Sequence, residues 1–394
     1  MKIYRCCFLI LVSCILISCG SESEDELVGD WERRAVFPEN QRSFAATFVI
    51  GDCGYVVGGW NGTSTLLKDV YMFDHQGGAK SQDDRRKGEP EGSWEERASL
   101  PDEALARYQA VGFSLETGGK WYGYVGTGWG YDPNGTFSGK QLETFKDFWR
   151  YNPETNSWEE IASLPDGAKP RRGALAFSLK VGSLWYGYVG FGYDDEPGRS
   201  HLADLWCYDP VNDLWEKVEG YSGAKRAGAT AFVIDNKAYI CNGTDNIGGS
   251  SNISDFYVFD PNAAESERWR RLRQMVNANP DEDYDDEYGG LPRTFGVSFV
   301  VKGNLSEPRG HITGGGSSST WEYDHHDAKD GGDLWMRRTN FYNNASASSR
   351  QGMISFSFAT GKAYVGLGNN GNMQYDEMWE FYPLDEDVIY ADYK

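Results

Sequence analysis

The sequence predicts an all-β chain in which one four-stranded unit repeats six times and closes into a ring. Three recurring landmarks predict it. Arg is followed six residues later by Phe at Arg42/Phe48, Arg107/Phe113, Arg171/Phe177, Arg226/Phe232, Arg293/Phe299 and Arg350/Phe356. A ring residue is followed four residues later by Gly at Tyr55/Gly59, Tyr124/Gly128, Tyr188/Gly192, Tyr239/Gly243, His311/Gly315 and Tyr364/Gly368. Aromatic-x-aromatic pairs come next, at Tyr71/Phe73, Trp149/Tyr151, Trp206/Tyr208, Tyr257/Phe259, Trp321/Tyr323 and Trp379/Phe381.

The stretch Arg171–Trp215 shows the unit most plainly, with four short alternating runs separated by Gly, Pro and Asp turn signals. Such runs read as the strands of an antiparallel meander. In the first strand, small residues alternate with larger ones, so that innermost strands crowd around an axis while the Phe enters the core between units. The second and third strands carry the ring–Gly and aromatic pairs, and the fourth is marked by Trp94, Trp158, Trp215, Trp269 and Trp335. A period of about 55 to 65 residues belongs to propellers and solenoids. The sixth unit lacks a fourth-strand Trp. Trp31 stands eleven residues before Arg42, as Trp215 stands before Arg226, so the N-terminal strand is expected to complete the last blade and remove the free edges.

Composition fits a sheet-rich chain: of 394 residues, 15% are aromatic and 48 are Gly. The net charge of −21 argues against nucleic acid or an anionic membrane surface as partner. At the N-terminus, Lys2 and Arg5 precede an apolar run from Cys6 to Ile17, too short to span a bilayer, which reads as a signal peptide. It ends in Leu16-Ile17-Ser18-Cys19-Gly20, which resembles a bacterial lipobox, implying acylation of Cys19. Ser21 to Glu26 resembles the acidic tether of Bacteroidetes-type surface lipoproteins, implying a lipid anchor in the cell envelope, at the outer membrane. The expected organisation is a signal peptide over 1–18, a tether over 19–30 and the ring over 31–394. Cys53, Cys207 and Cys241 are widely spaced and odd in number, against a disulfide framework or a zinc site, and read as buried free thiols.

A first-strand Arg, a second-strand Tyr-Val-x-x-Gly, an Asp-x-Trp-x-Tyr-Asp-Pro third strand and a fourth-strand Trp together resemble Kelch repeats over roughly residues 31–383. The fifth repeat departs, with His311 for Tyr and Ser319 for Asp. The resemblance implies a six-bladed Kelch β-propeller closed by its N-terminal strand. It says little of function, since the family holds oxidases, sugar epimerases and scaffolds that only bind.

The expected binding face carries the loops between second and third strands. One repeat Arg per blade (Arg42, Arg107, Arg171, Arg226, Arg293 and Arg350) stands at that face, and guanidinium suits carboxylate or phosphate. In four blades Asp69, Asp147, Asp204 or Asp255 offers an in-blade partner, and Glu377 takes that place in the sixth. Arg293 faces only Ser319 and is therefore expected to be the copy most open to an anion. Trp60, Trp129 and Tyr193 each follow a closing Gly and are expected to form a sugar-stacking shelf. Glu143 and His201 lie on the same loops, and the acidic run Asp281–Glu287, between a fourth strand and the next first strand, lies at the same face.

Galactose oxidase is a Kelch relative whose copper needs two His, two Tyr and a Tyr–Cys crosslink. Here His325 and His326 are adjacent and the other His lie in separate blades, so neither metal nor cofactor is expected. No G-x-S-x-G or H-E-x-x-H motif occurs. The expectation is a monomeric, non-catalytic propeller, tethered to a membrane only through its lipid, that binds a small anionic or carbohydrate ligand or a protein partner. The alternative is a sugar epimerase or mutarotase resembling the Kelch enzyme for N-acetylneuraminate.

Overall fold

The computed structural model describes residues 27–63, 65–83, 86–131, 142–195, 199–246, 251–277, 288–303, 305–325, 334–341, 349–371 and 373–386. Cys19, the signal segment, the tether as far as Glu26, the acidic run 281–287 and His326 lie outside them, whereas residues 28–30 of the expected tether belong to the N-terminal strand.

Among the described residues, six four-stranded antiparallel sheets follow one another along the chain. The first is Ala46–Ile50, Cys53–Trp60, Leu66–Asp74 and Ser93–Arg97; the second is Val111–Thr117, Lys120–Gly126, Phe148–Asn152 and Ser157–Ile161. The third is Leu175–Val181, Leu184–Gly190, Leu205–Asp209 and Leu214–Val218; the fourth is Ala227–Ile234, Lys237–Thr244, Tyr257–Phe259 and Trp269–Arg271. The fifth is Gly296–Val301, Arg309–Gly314, Thr320–Asp324 and Leu334–Arg338. The sixth is Ile354–Ser357, Ala363–Gly366 and Met378–Glu386, with Val28–Arg33 from the N-terminus as its outer strand. Trp31 is the register partner of Phe381, as the closure expected from the sequence requires.

Two features bind the sheets into a ring. Fourth-strand indoles reach the neighbouring sheet: Trp94 donates to Ala35 O, Trp158 to Ala98 O, Trp215 to Ala162 O and Trp31 to Thr339 O. Trp31 thus occupies the same place in the relay as the other Trp residues. The first-strand Phe also crosses to the next sheet, where a Gly leaves room for it. A Cβ on Gly123 would lie 2.2 Å from the Phe48 ring, and one on Gly54 would lie 2.5 Å from Phe356. The second of these contacts joins the last sheet to the first.

The repeat Arg residues do not lie in the innermost strands. Two residues after each Arg, the backbone turns left-handed, at Phe44, Gln109, Gly173, Gly228, Phe295 and Gly352, with φ between 54° and 65°. This turn aims six backbone N–H groups around the axis. Gln109 N donates to Phe44 O, Gly173 N to Gln109 O, Gly228 N to Gly173 O, Phe295 N to Gly228 O, Gly352 N to Phe295 O, and Phe44 N to Gly352 O. The cycle closes after six bonds of 2.7–3.1 Å, so every blade is tied to both neighbours at the axis.

Candidate functional site

Each repeat Arg builds a clasp within its own blade. Arg42 grips both carboxylate oxygens of Asp69 at 2.7 and 2.8 Å, Arg107 those of Asp147 at 2.8 and 2.7 Å, and Arg171 those of Asp204 at 2.8 Å. Arg226 pairs with Asp255, and Arg350 with Glu377 at 3.0 Å. Burial alone would raise the Asp147 and Asp204 carboxyls, but Arg107 and Arg171 more than offset it and hold them below the usual range. In every blade Nη1 also reaches the carbonyl of a left-handed residue ending the second strand: Gly58, Thr127, Phe191, Asn242, Gly314 or Leu367. That left-handed turn continues into the landmark Gly. At Gly59 φ is 101°, and a Cβ would meet Ser43 O at 2.9 Å, which is why Gly recurs there.

Above the clasps, in five blades the residue after the Arg pairs with the residue after the Gly, forming a collar: Ser43 with Trp60, Tyr108 with Trp129, Arg172 with Tyr193, Ala227 with Thr244, Gln351 with Asn369. At the second and third blades this collar becomes a polar cleft between aromatic walls. The Arg172 guanidinium carbon lies 4.7 Å from the Trp129 ring centre and 5.2 Å from that of Tyr193. Its Nη1 donates to Gln109 Oε1 at 2.9 Å, while Nε and Nη2 hold the two oxygens of Asp195. Tyr108 packs on Trp129 with ring centres 5.3 Å apart, and His201 packs on Tyr193 at 4.9 Å. Burial lowers the His201 pKa, with Asp245 opposing and Arg172 adding to the shift, so the imidazole is neutral at pH 7. His201 Nε2 and Trp129 Nε1 are both buried without a hydrogen-bond partner.

The floor of the mouth is the axial ring of backbone bonds. Phe44 and Phe295 meet edge to face over it, 5.2 Å apart. Glycines make room for them, since a Cβ on Gly352 would lie 2.7 Å from the Phe44 ring. Further along the same strands is a separate axial cavity of about 300 Å³, lined by Thr47, Ser114, Ser178, Ser298 and Ser357 among others.

Residues 41–82 and 135–165 match the Kelch motif. Kelch-like protein 36 of Rattus norvegicus is 25% identical over 268 residues, 67% of this chain and 36% of that protein. N-acetylneuraminate epimerase of Salmonella enteritidis is 30% identical over 128 residues, 32% of this chain and 31% of the enzyme. The chain thus spans about a third of the length of the curated relatives it matches. A solved structure described as "Structure of YjhT" superposes with a TM-score of 0.58, covering 87% of this chain and 95% of that one at 15% identity.

The fold is a Kelch β-propeller. Within it, the repeat Arg ring forms the blade wall: all six side chains, the candidate ligand contacts of the sequence, are 0–2% exposed and turned into their own blades. Arg293 departs furthest from expectation. It lacks a carboxylate but is not open; its donors go to Leu291 O, Gly290 O, Gly314 O, Ser319 O and Ser319 Oγ. Burial pushes it down to about 10, leaving it protonated at neutral pH.

Of the expected aromatic shelf, Trp129 and Tyr193 are brought together around Arg172. Trp60 sits apart, at the seam of the first and sixth blades, with its indole donating to Thr63 O. Glu143 is exposed on the hairpin strand that pairs with Trp129–Tyr131. Cys53, Cys207 and Cys241 are free thiols, but only Cys241 is buried as expected, while Cys53 and Cys207 are partly exposed.

Sequence reasoning missed Arg172, Gln109 and Asp195. The doubled Arg171-Arg172 was the available signal, since no other repeat Arg is followed by a second cation.

Proposed function

We propose that this propeller binds a carbohydrate in the mouth cleft formed by Trp129, Arg172, Tyr193 and Asp195. The observation that carries the reading is Arg172 itself, a guanidinium between two aromatic faces and paired with a carboxylate. Three of its five N–H donors are engaged, which leaves two for ligand oxygens. Asp195 offers remaining lone pairs to ligand hydroxyls, and the rings suit the C–H faces of a sugar. Because the Arg172–Asp195 pair is neutral overall and the protein carries −21, a neutral sugar, among the small anionic or carbohydrate ligands expected from the sequence, fits better than an anion. A glycan screen with wild type, Arg172→Ala and Trp129→Ala tests this. Binding lost in both variants with the melting temperature kept supports the site; binding retained by both rules it out.

A second reading rests on His201. Opening a hemiacetal ring needs one base to take the proton of the anomeric hydroxyl and one acid to protonate the departing ring oxygen. A neutral His201 with Nε2 unpartnered suits the base, and the partial likeness to an N-acetylneuraminate epimerase agrees with it. Exchange between sugar anomers, followed by NMR, decides: catalysis abolished by His201→Gln makes the protein a mutarotase, and no catalysis by wild type leaves it a binder.

Tethering through Cys19 belongs to the same proposal. Cys19→Ser is expected to move the protein from the membrane to the soluble fraction, and continued membrane association would remove the lipid anchor from the reading.

A further inference from the structure

The mouth holds a second cluster of polar groups, at the seam where the sixth blade meets the first. Ser43 Oγ, Asn369 Nδ2, Tyr375 Oη and both amide atoms of Gln374 are buried there without a hydrogen-bond partner. Ser43, Asn369 and Tyr375 are 0%, 2% and 6% exposed. Their backbones place them together. Ser43 pairs with Trp60 and Gln351 with Asn369 at matching collar positions, and Asn369 pairs in turn with Gln374. The Gln374 amide lies against the turn after Trp60, where a Cβ on Gly62 would be 2.6 Å from Gln374 Cγ. Tyr375 is held by Arg350, whose guanidinium carbon lies 3.6 Å from the ring centre.

So many orphan donors and acceptors at one seam go against the rule that buried polar groups find partners. The set has a definite chemistry. It mixes donors (Asn369 Nδ2, Gln374 Nε2), an acceptor (Gln374 Oε1) and two hydroxyls that do both, with no charged atom among them. Hydroxyl groups, which donate and accept at once, complement such a set, and Trp60 beside it supplies an aromatic face. We propose that the seam is a second carbohydrate subsite, and that the ligand of the mouth is a neutral oligosaccharide reaching both the Trp129–Arg172–Tyr193 cleft and the Trp60–Asn369–Gln374 seam. This rests on the carbohydrate reading of the first cleft. Tyr108 and Phe44, whose rings are 6.1 Å apart, form the apolar ground between the two.

The test uses the full chain and a printed array of neutral and acidic glycans from one to six residues, followed by titration of the best responding glycan and its terminal monosaccharide. Gln374→Met keeps the side chain's length and removes both orphan atoms; Asn369→Ala removes a third. The seam subsite predicts that each variant weakens the longer glycan about tenfold and leaves the monosaccharide unchanged, with Gln374→Met at least as thermostable as wild type. Arg172→Ala weakens both ligands. If Arg172→Ala acts but the seam variants change neither ligand, the seam holds only ordered water and the proposal fails while the first cleft stands. Equal affinity for the monosaccharide and every longer glycan also overturns it. An array with no response removes both.

Discussion

Arg34 Nε donates to Glu380 Oε2 at 2.8 Å, although 346 residues separate them in the chain. Arg34 Nη2 also donates to Tyr382 Oη, which donates in turn to Glu89 Oε2 at 2.7 Å. Lys362 reaches Glu380 Oε1 at 2.8 Å. Arg34 follows the closing strand, Glu380 and Tyr382 lie in the third strand of the last blade, and Glu89 lies in the long loop of the first. This loop therefore latches over the seam where the ring closes. Burial alone would lower the Arg34 pKa, but Glu380 and Tyr382 more than offset it and raise it, so the clasp is ionised.

Removing Arg34 leaves Glu380, 1% exposed, without its guanidinium. Arg34→Ala is expected to cost about 3–5 kcal/mol, as breaking one side of a buried pair does. Replacing both partners by Met is expected to recover much of that loss. Urea unfolding of the three variants measures it, and a wild-type midpoint for Arg34→Ala would mean that the seam is held elsewhere.

Arg293→Ala is expected to destabilise as much as Arg226→Ala does. It takes the guanidinium donor from the buried carbonyls of Leu291 and Gly314, each worth about 1–3 kcal/mol when left without a partner, and one of two donors from Ser319 O. Arg293→Lys should not rescue it, because an ammonium cannot span that fork. Thermal melts showing Arg293→Ala close to wild type would reverse this assignment.

Blade five holds a buried ionic cluster with a definite pH signature. His311 Nε2 meets Glu322 Oε2 at 3.0 Å, and Arg338 donates to both Glu322 oxygens at 3.1 and 3.0 Å. Burial would raise Glu322, but His311 and Arg338 outweigh it and hold its carboxyl at about 2, against an ordinary 4.5. A lowered folded pKa stabilises the protein above the unfolded value. That contribution, on the order of 3 kcal/mol, is full above pH 4.5 and lost as the pH falls toward about 2. Glu322→Gln should therefore lower stability at pH 7 and flatten its acid dependence below pH 4.5, read from melting temperatures across pH.

Asp195→Asn removes the carboxylate that balances Arg172 and should turn the mouth toward anions. Affinity for an acidic sugar is expected to rise roughly tenfold, about 1.4 kcal/mol, and to weaken with added salt. Titration calorimetry at two ionic strengths checks this. An unchanged preference would mean that Asp195 does not set the charge of the site.

The chain on its own determined the ring. Strand pairing is local, and each blade is built from a contiguous run whose Arg–Phe, ring–Gly and Trp landmarks recur in order. The spacing of Trp31 to Arg42 even revealed the closure, because it copies the spacing within the other repeats. The clasp partners Asp69, Asp147, Asp204, Asp255 and Glu377 were legible for the same reason. What the tertiary structure alone decided is where polar atoms are left over. The left-handed turn after each repeat Arg sinks that side chain into the blade wall, and neutral carbonyls satisfy Arg293 where composition promised an open charge. The same turn lifts Arg172 onto the mouth, where it meets Gln109 from a neighbouring blade, 63 residues away. Whether Trp60 joins Trp129 or Gln374 depends likewise on how blades sit around the axis. The side-chain contacts between blades at the mouth follow no sequence period, so repeat spacing carries the scaffold and only the closed ring sets the site.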